Sequence, residues 1–183
     1  YKIAPRFIND PKPSDYSSIA FDYRRVRDFE KARSFYEKII TGSNSIDEIF
    51  QALKGIRISY KLEKRNQEYL NATDAIDYYL TEITKTKSSF RPLFFEAKSL
   101  RIRAHWTEGN PAKAKQLLDE LIKGYETKYP MGHFYWLRAR IEEEAKNYDQ
   151  AMVWLDKAAK TKGDQEFQEK VLWYQAWTLR KLP

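Results

Sequence analysis

Few residue types in this chain are equipped for chemistry, and their spacing narrows the options further. There are two histidines, His105 and His133, and no cysteine. Neither histidine belongs to a ligand spacing such as His-Glu-x-x-His, and a zinc site would have to recruit acids from distant segments. The densest group of acids is the run Glu142, Glu143 and Glu144. Three consecutive helical residues point in three directions, so the run reads as a solvated face. A glycosidase pair would instead hold two carboxylates about 5 to 9.5 Å apart across a cleft. No Gly-x-Ser-x-Gly elbow, Walker-type glycine loop or Gly-x-Gly-x-x-Gly occurs. The sequence therefore predicts no catalytic residue, no metal site and no cofactor.

Recognition chemistry is what remains, and it depends on the elements that would carry it. The stretch "EGNPAKAKQLLDELIKGY" (108–125) returns as "AKNYDQAMVWLDKAAK" (145–160), and "LRIR" (100–103) returns as "LRAR" (137–140). Four places pair an alanine with a large residue four positions on: Ala32 with Tyr36, Ala75 with Tyr79, Ala114 with Leu118, and Ala151 with Leu155. Residues at i and i+4 share one helical face, so each alanine marks a place where a neighbouring helix comes close. Asp28, Asn71, Asn110 and Asn147 precede these runs as candidate helix starts, and Pro111 suits a first helical turn. The pattern predicts an all-α, right-handed α-solenoid of about nine helices in one array over 1–183. Its units are 14–43, 45–85, 89–127 and 131–160, followed by a partial unit at 165–183. One hairpin cannot bury its apolar face alone, whereas stacked copies share a continuous core.

The first helices of such units line a groove. Counting one and four residues on from Ala20, Ile102, Ala139 and Ala176 gives Phe21 and Arg24, Arg103 and Trp106, Arg140 and Glu143, and Trp177 and Arg180. Trp136 and Trp173 lie three residues before the last two references. The candidate partner-binding set is Arg24, Arg103, Trp106, Trp136, Arg140, Trp173 and Trp177. Arg beside Trp is a composition of binding hot spots, and equally of helix packing with snorkelling stems.

Composition agrees with a folded helical chain. Of its residues 42% are hydrophobic and only six are glycine, while Lys and Arg number 33 against 26 acids, a net charge of +7. The excess is interspersed with acids, which reads mostly as solvated helix surface. In "SFRPLFFEAKSLRIRAHW" basic residues alternate with aromatics. Phe94, Phe95, Leu100 and Ile102 suit a core there, leaving Arg91, Lys98, Arg101 and Arg103 as surface charge, so nucleic acid is not the expected partner. No run of 18 apolar residues exists, so no transmembrane segment is expected.

The alanine-x-x-x-aromatic pattern after a polar turn, with a small residue twelve positions earlier (Ala20 before Ala32, Ala139 before Ala151), resembles tetratricopeptide-type (TPR-like) repeats. The units exceed the usual length of 34, and alanine stands where that motif prefers glycine. Within that class, "LWYQAWTLRKLP" after "GHFYWLRARIEEEAKNYDQAMVWLDKAA" is similar to the superhelix that precedes the catalytic domain of soluble lytic transglycosylases. That resemblance implies a periplasmic, non-catalytic piece positioned on peptidoglycan glycan strands, because the family's catalytic Glu-Ser and its Gly-Leu-Met-Gln stretch are absent. The alternatives are a cytoplasmic TPR-like scaffold holding protein or peptide segments and, behind it, an RNA-binding helical repeat. The start at Tyr1 without a leader suggests a mature or excised product. The apolar stripe of the last helix (Trp173, Ala176, Trp177, Leu172 and Leu179) suggests self-association, or a chain continuing beyond Pro183.

Overall fold

A computed structural model describes residues 11–182; the expected array limits at 1–10 and at Pro183 lie outside these. Among the described residues there are nine α-helices: α1 (Tyr16–Arg25), α2 (Phe29–Gly42), α3 (Ile46–Leu62), α4 (Asn66–Thr86), α5 (Arg91–Thr107), α6 (Pro111–Tyr125), α7 (Gly132–Glu144), α8 (Tyr148–Ala159) and α9 (Gln165–Leu179). The fold is all-α and TPR-like. It divides into two compact units, one up to Arg101 and one from Ile102 onward. In the first, α1 packs on α2, α2 on α3 and α3 on α4, with a lesser contact between α1 and α3. In the second, α6 packs on α7, α7 on α8 and α8 on α9.

The hairpin turns repeat more faithfully than the side chains do. Arg27, Lys64, Gly109 and Lys146 all take positive φ, between 62° and 81°, directly after the first helix of a pair. Around each the same two backbone bonds form, as in Asp28 N–H to the Tyr23 carbonyl and Arg27 N–H to the Arg24 carbonyl. This is the Schellman motif, which satisfies the last carbonyls of the helix and reverses the chain. Only the third copy uses glycine, and nothing lies within 4 Å of the space its Cβ would take. Gly109→Ala should therefore cost about 1 kcal/mol through backbone strain alone, and Lys146→Gly should gain some tenths of that size. Denaturant midpoints of the two variants check the signs.

The next helix is usually started by a side-chain cap. Asp28, Ser45, Asn110 and Asp164 accept the N–H of Lys31 (3.2 Å), Glu48 (3.3 Å), Lys113 (3.1 Å) and Phe167 (2.8 Å). Asn147 stands at its expected cap position without making that bond. Asn71 does not start a helix: α4 begins five residues earlier, after Arg65, and Asn71 lies inside it.

That shift corrects the register of the second pair. Ala32, Ala114 and Ala151 are fully buried, each four residues into its hairpin's second helix, but Ala75 is exposed. The equivalent position in α4 is Tyr69, 37 residues after Ala32, and twelve residues before it stands Arg57. Two alanines occupy these places in the first and fourth pairs, Ala20 with Ala32 and Ala139 with Ala151, and in the third Ile102 stands before Ala114. In the second pair Arg57 Nη2 donates to Tyr69 Oη (2.7 Å), its Nε donates to Thr73 Oγ1 (3.0 Å), and the guanidinium lies over the Tyr69 ring. A polar knot thus replaces an apolar close approach, and its hydrogen bonds offset the cost of burying a cation.

Small residues shape one end of the first unit's core. Ala20, Ala32, Tyr36 and Ala52 form one cluster. Gly55 sits in α3 because the Tyr36 ring occupies the space its Cβ would need. A second cluster joins Phe50, Ile76, Leu80 and Ala97.

Candidate functional site

In the second unit a series of rings runs from α7 to α9. His133 and Trp136, one turn apart on α7, stack with centroids 5.8 Å apart, and Trp136 meets Tyr174 of α9 edge-on at 5.6 Å. Tyr174 meets Trp173 at 4.8 Å, and Trp173 stacks on Trp177 at 5.8 Å with the planes 5° apart. The spacing of three between His133 and Trp136 and of four between Trp173 and Trp177 places those rings one above another, while Tyr174, next to Trp173 in the chain, links α9 to Trp136.

Cations sit on these rings. Lys170 Nζ lies 3.5 Å from the centre of the Trp136 ring, and the Arg140 guanidinium lies 4.3 Å from that of Tyr174. Arg103, exposed on α5, makes no ion pair among the described residues. Burial, then the charges of Arg103 and Lys170, lowers His133 to about 4, so the imidazole is neutral at pH 7. Burial, then Arg103 and Arg140, holds Lys170 below the usual lysine range against the opposing pull of Glu166. Glu143 pairs with Arg140. Positive charge therefore exceeds negative charge around Trp136, whose indole is 8% exposed and whose Nε1 has no acceptor. Such a place favours a group bringing negative charge and lone pairs.

Of the residues picked from the sequence, Trp136, Arg140, Trp173 and Trp177 belong to this cluster directly and Arg103 through its field. Trp106 does not, since its Nε1 donates to Glu144 Oε2 at 2.6 Å. Arg24 belongs to the first unit, where it lies over the exposed Phe21 ring. Lys170 and Tyr174 were not among the candidates. Lys170 stands 37 residues after His133 and one turn before Trp173, so the repeat itself carried the signal.

The glutamate run corrects the expectation of a solvated face. Glu142 is 4% exposed and accepts from Lys115 Nζ (2.8 Å), Asn147 Nδ2 (2.8 Å) and Arg138. Burial opposes its ionisation, but these three donors outweigh burial and bring its carboxyl down to about 2. Glu143 and Glu144 are engaged with Arg140 and Trp106. In the basic-aromatic stretch, Lys98 and Arg101 both pair with the buried Asp77, and Arg101 also with Asp74. Those cations are committed within the fold rather than held out for phosphates. A cavity of about 910 Å³ beside Tyr16, Lys38, Asp47 and Glu48 mixes both signs and holds none of the candidate residues.

No protein-family model and no curated protein matches this chain. Solved structures do. A double mutant of MamA RS-1 is similar at a TM-score of 0.54 and 14% identity, over 94% of this chain and 86% of that one. MamA from Desulfovibrio magneticus RS-1, from residue 41 to its end, gives 0.53 and 15% over the same shares. The likeness is one of fold, a TPR-like stack of helices, and neither structure is a lytic transglycosylase.

Proposed function

We propose that this chain is a non-catalytic helical-repeat module whose second unit holds an acidic segment of a partner protein. The observation that carries the reading is the convergence of Arg103, Arg140 and Lys170 on Trp136 and Tyr174, with too few acids to balance them. A carboxylate placed there relieves the like-charge repulsion that Arg103 and Arg140 exert on Lys170 and leaves ring faces for the apolar part of a side chain. The TPR-like fold supports a scaffold role, because stacked hairpins present rows of side chains along an extended partner. Peptidoglycan positioning finds no support among the similar structures, and the basic stretch of α5 offers little to RNA because Lys98 and Arg101 are paired.

Tryptophan fluorescence with a Glu-rich peptide is expected to show saturable binding that weakens with salt. Arg103→Glu combined with Lys170→Glu should weaken it roughly tenfold or more while helicity is unchanged. The same charge change at Lys123 and Lys160, on α6 and just after α8, should weaken it far less. Equal losses in both double variants would reduce the effect to net charge and overturn the site. So would an RNA oligonucleotide that binds more tightly than the peptide.

A further inference from the structure

The outer side of α9 is unlike any other helix face in the described residues. Leu172 is 59% exposed, Trp173 58%, Trp177 40% and Leu179 55%, all on one stripe with exposed Ala176. The inner side, with Val171, Tyr174 and Thr178, packs on the rest of the second unit. A helix that is apolar on both sides is built to be covered on both. The repeat shows what such covering looks like: Ala139 and Trp136, each 37 residues before Ala176 and Trp173, are 1% and 8% exposed.

We propose that the cover is a second copy of this chain, bound through α9 in antiparallel fashion. At about 100° per residue, Glu169, Ala176 and Arg180 fall along the middle of the stripe, with Trp173 and Trp177 on one flank and Leu172 and Leu179 on the other. Arg180 keeps right-handed helical geometry as the C-cap, so it continues the row. An acid at one end of the row and a base at the other make the stripe complementary to itself when two copies run antiparallel. With Glu169 opposite Arg180 of the second copy, the two-fold axis makes this pair twice. The same register sets Trp173 near Ala176 of the second copy, while the two-fold axis sets each flank of the stripe against its own counterpart. Large thus meets small along the middle, which is how helix faces interdigitate. Among the described residues Glu169 accepts only from Gln165 on its own helix, and Arg180 has no ion pair, so both are available.

Light scattering across a dilution series tests this, with the mass expected to rise from 21.9 kDa toward twice that value. Glu169→Arg alone and Arg180→Glu alone should each weaken association roughly tenfold or more by setting like charges opposite each other. The doubly exchanged chain, Glu169→Arg with Arg180→Glu, should recover it. Circular dichroism shows that the variants are folded, and the acidic-peptide assay, which reads Arg103 and Lys170, stays separate. A wild type that is monomeric at the highest soluble concentration overturns the proposal, as it would if only a different protein's helix covered the stripe. Single variants that dimerise normally, or a double variant that does not recover, also overturn it.

Discussion

Tyr69→Ala is expected to lower stability by about 3 to 5 kcal/mol, the range for removing a fully buried ring and leaving a cavity. Tyr69 is 1% exposed, and its hydroxyl and ring both serve Arg57, which is itself 9% exposed. Without the tyrosine the guanidinium keeps Thr73 but loses its other hydrogen-bond partner and the ring beneath it. Tyr69→Phe, which preserves the volume, should cost about 1 to 3 kcal/mol, since one buried donor is then left unsatisfied. Ala75→Trp should move stability by no more than about 0.5 kcal/mol, because that position is exposed. Urea midpoints for the three variants decide the register of the second hairpin. A costly Ala75→Trp beside a tolerated Tyr69→Ala would restore the alanine register read from the sequence.

The second large effect is expected at Glu142. Its carboxylate joins Lys115 of α6 and Arg138 of α7 with Asn147 at the start of α8. Glu142→Gln keeps the shape but leaves the partly buried Lys115 without its carboxylate and Arg138 with Asp119 alone, at a cost of about 3 kcal/mol. The pH dependence has a definite sign. The folded carboxyl lies near 2, below the ordinary value of 4.5, so between these values the unfolded chain binds more protons. The contribution is complete above pH 4.5 and disappears as pH falls toward 2. Stability curves of wild type and Glu142→Gln should therefore converge across that window. Parallel curves there would show that Glu142 acts through packing alone.

The number of helices and most of their starts were legible in the sequence, because the interactions that set them lie within four residues. Asp28 and Asn110 reach their own first turns, Pro111 costs nothing at a position without an intrahelical N–H partner, and apolar residues recur at three and four. The alanine pairs Ala20 with Ala32 and Ala139 with Ala151 were legible for the same reason, since both members of each are small and the period is intact. The exposed stripe of α9 was also written locally, in an excess of apolar residues on a single helix.

What the tertiary structure decided were the pairings that rest on partners far along the chain. The second hairpin hid its register because Arg57 donates to Tyr69 across twelve residues where the first and fourth hairpins place two alanines. Glu142 and Glu144 each have an arginine four residues earlier, so the local pattern does not separate them; Lys115, 27 residues away, joins Arg138 and Asn147 on Glu142 and makes it a buried anchor, while Glu144 is a surface acceptor. Lys170 entered the candidate site because α9 lays it on Trp136, and Trp106 lies outside the ring cluster with its indole N–H donating to Glu144. A local pattern states which residues share a helix face. Whether a charge on that face is solvated, paired or held close to like charge depends on what the fold brings opposite it, because Coulomb and desolvation energies act through space and not along the chain.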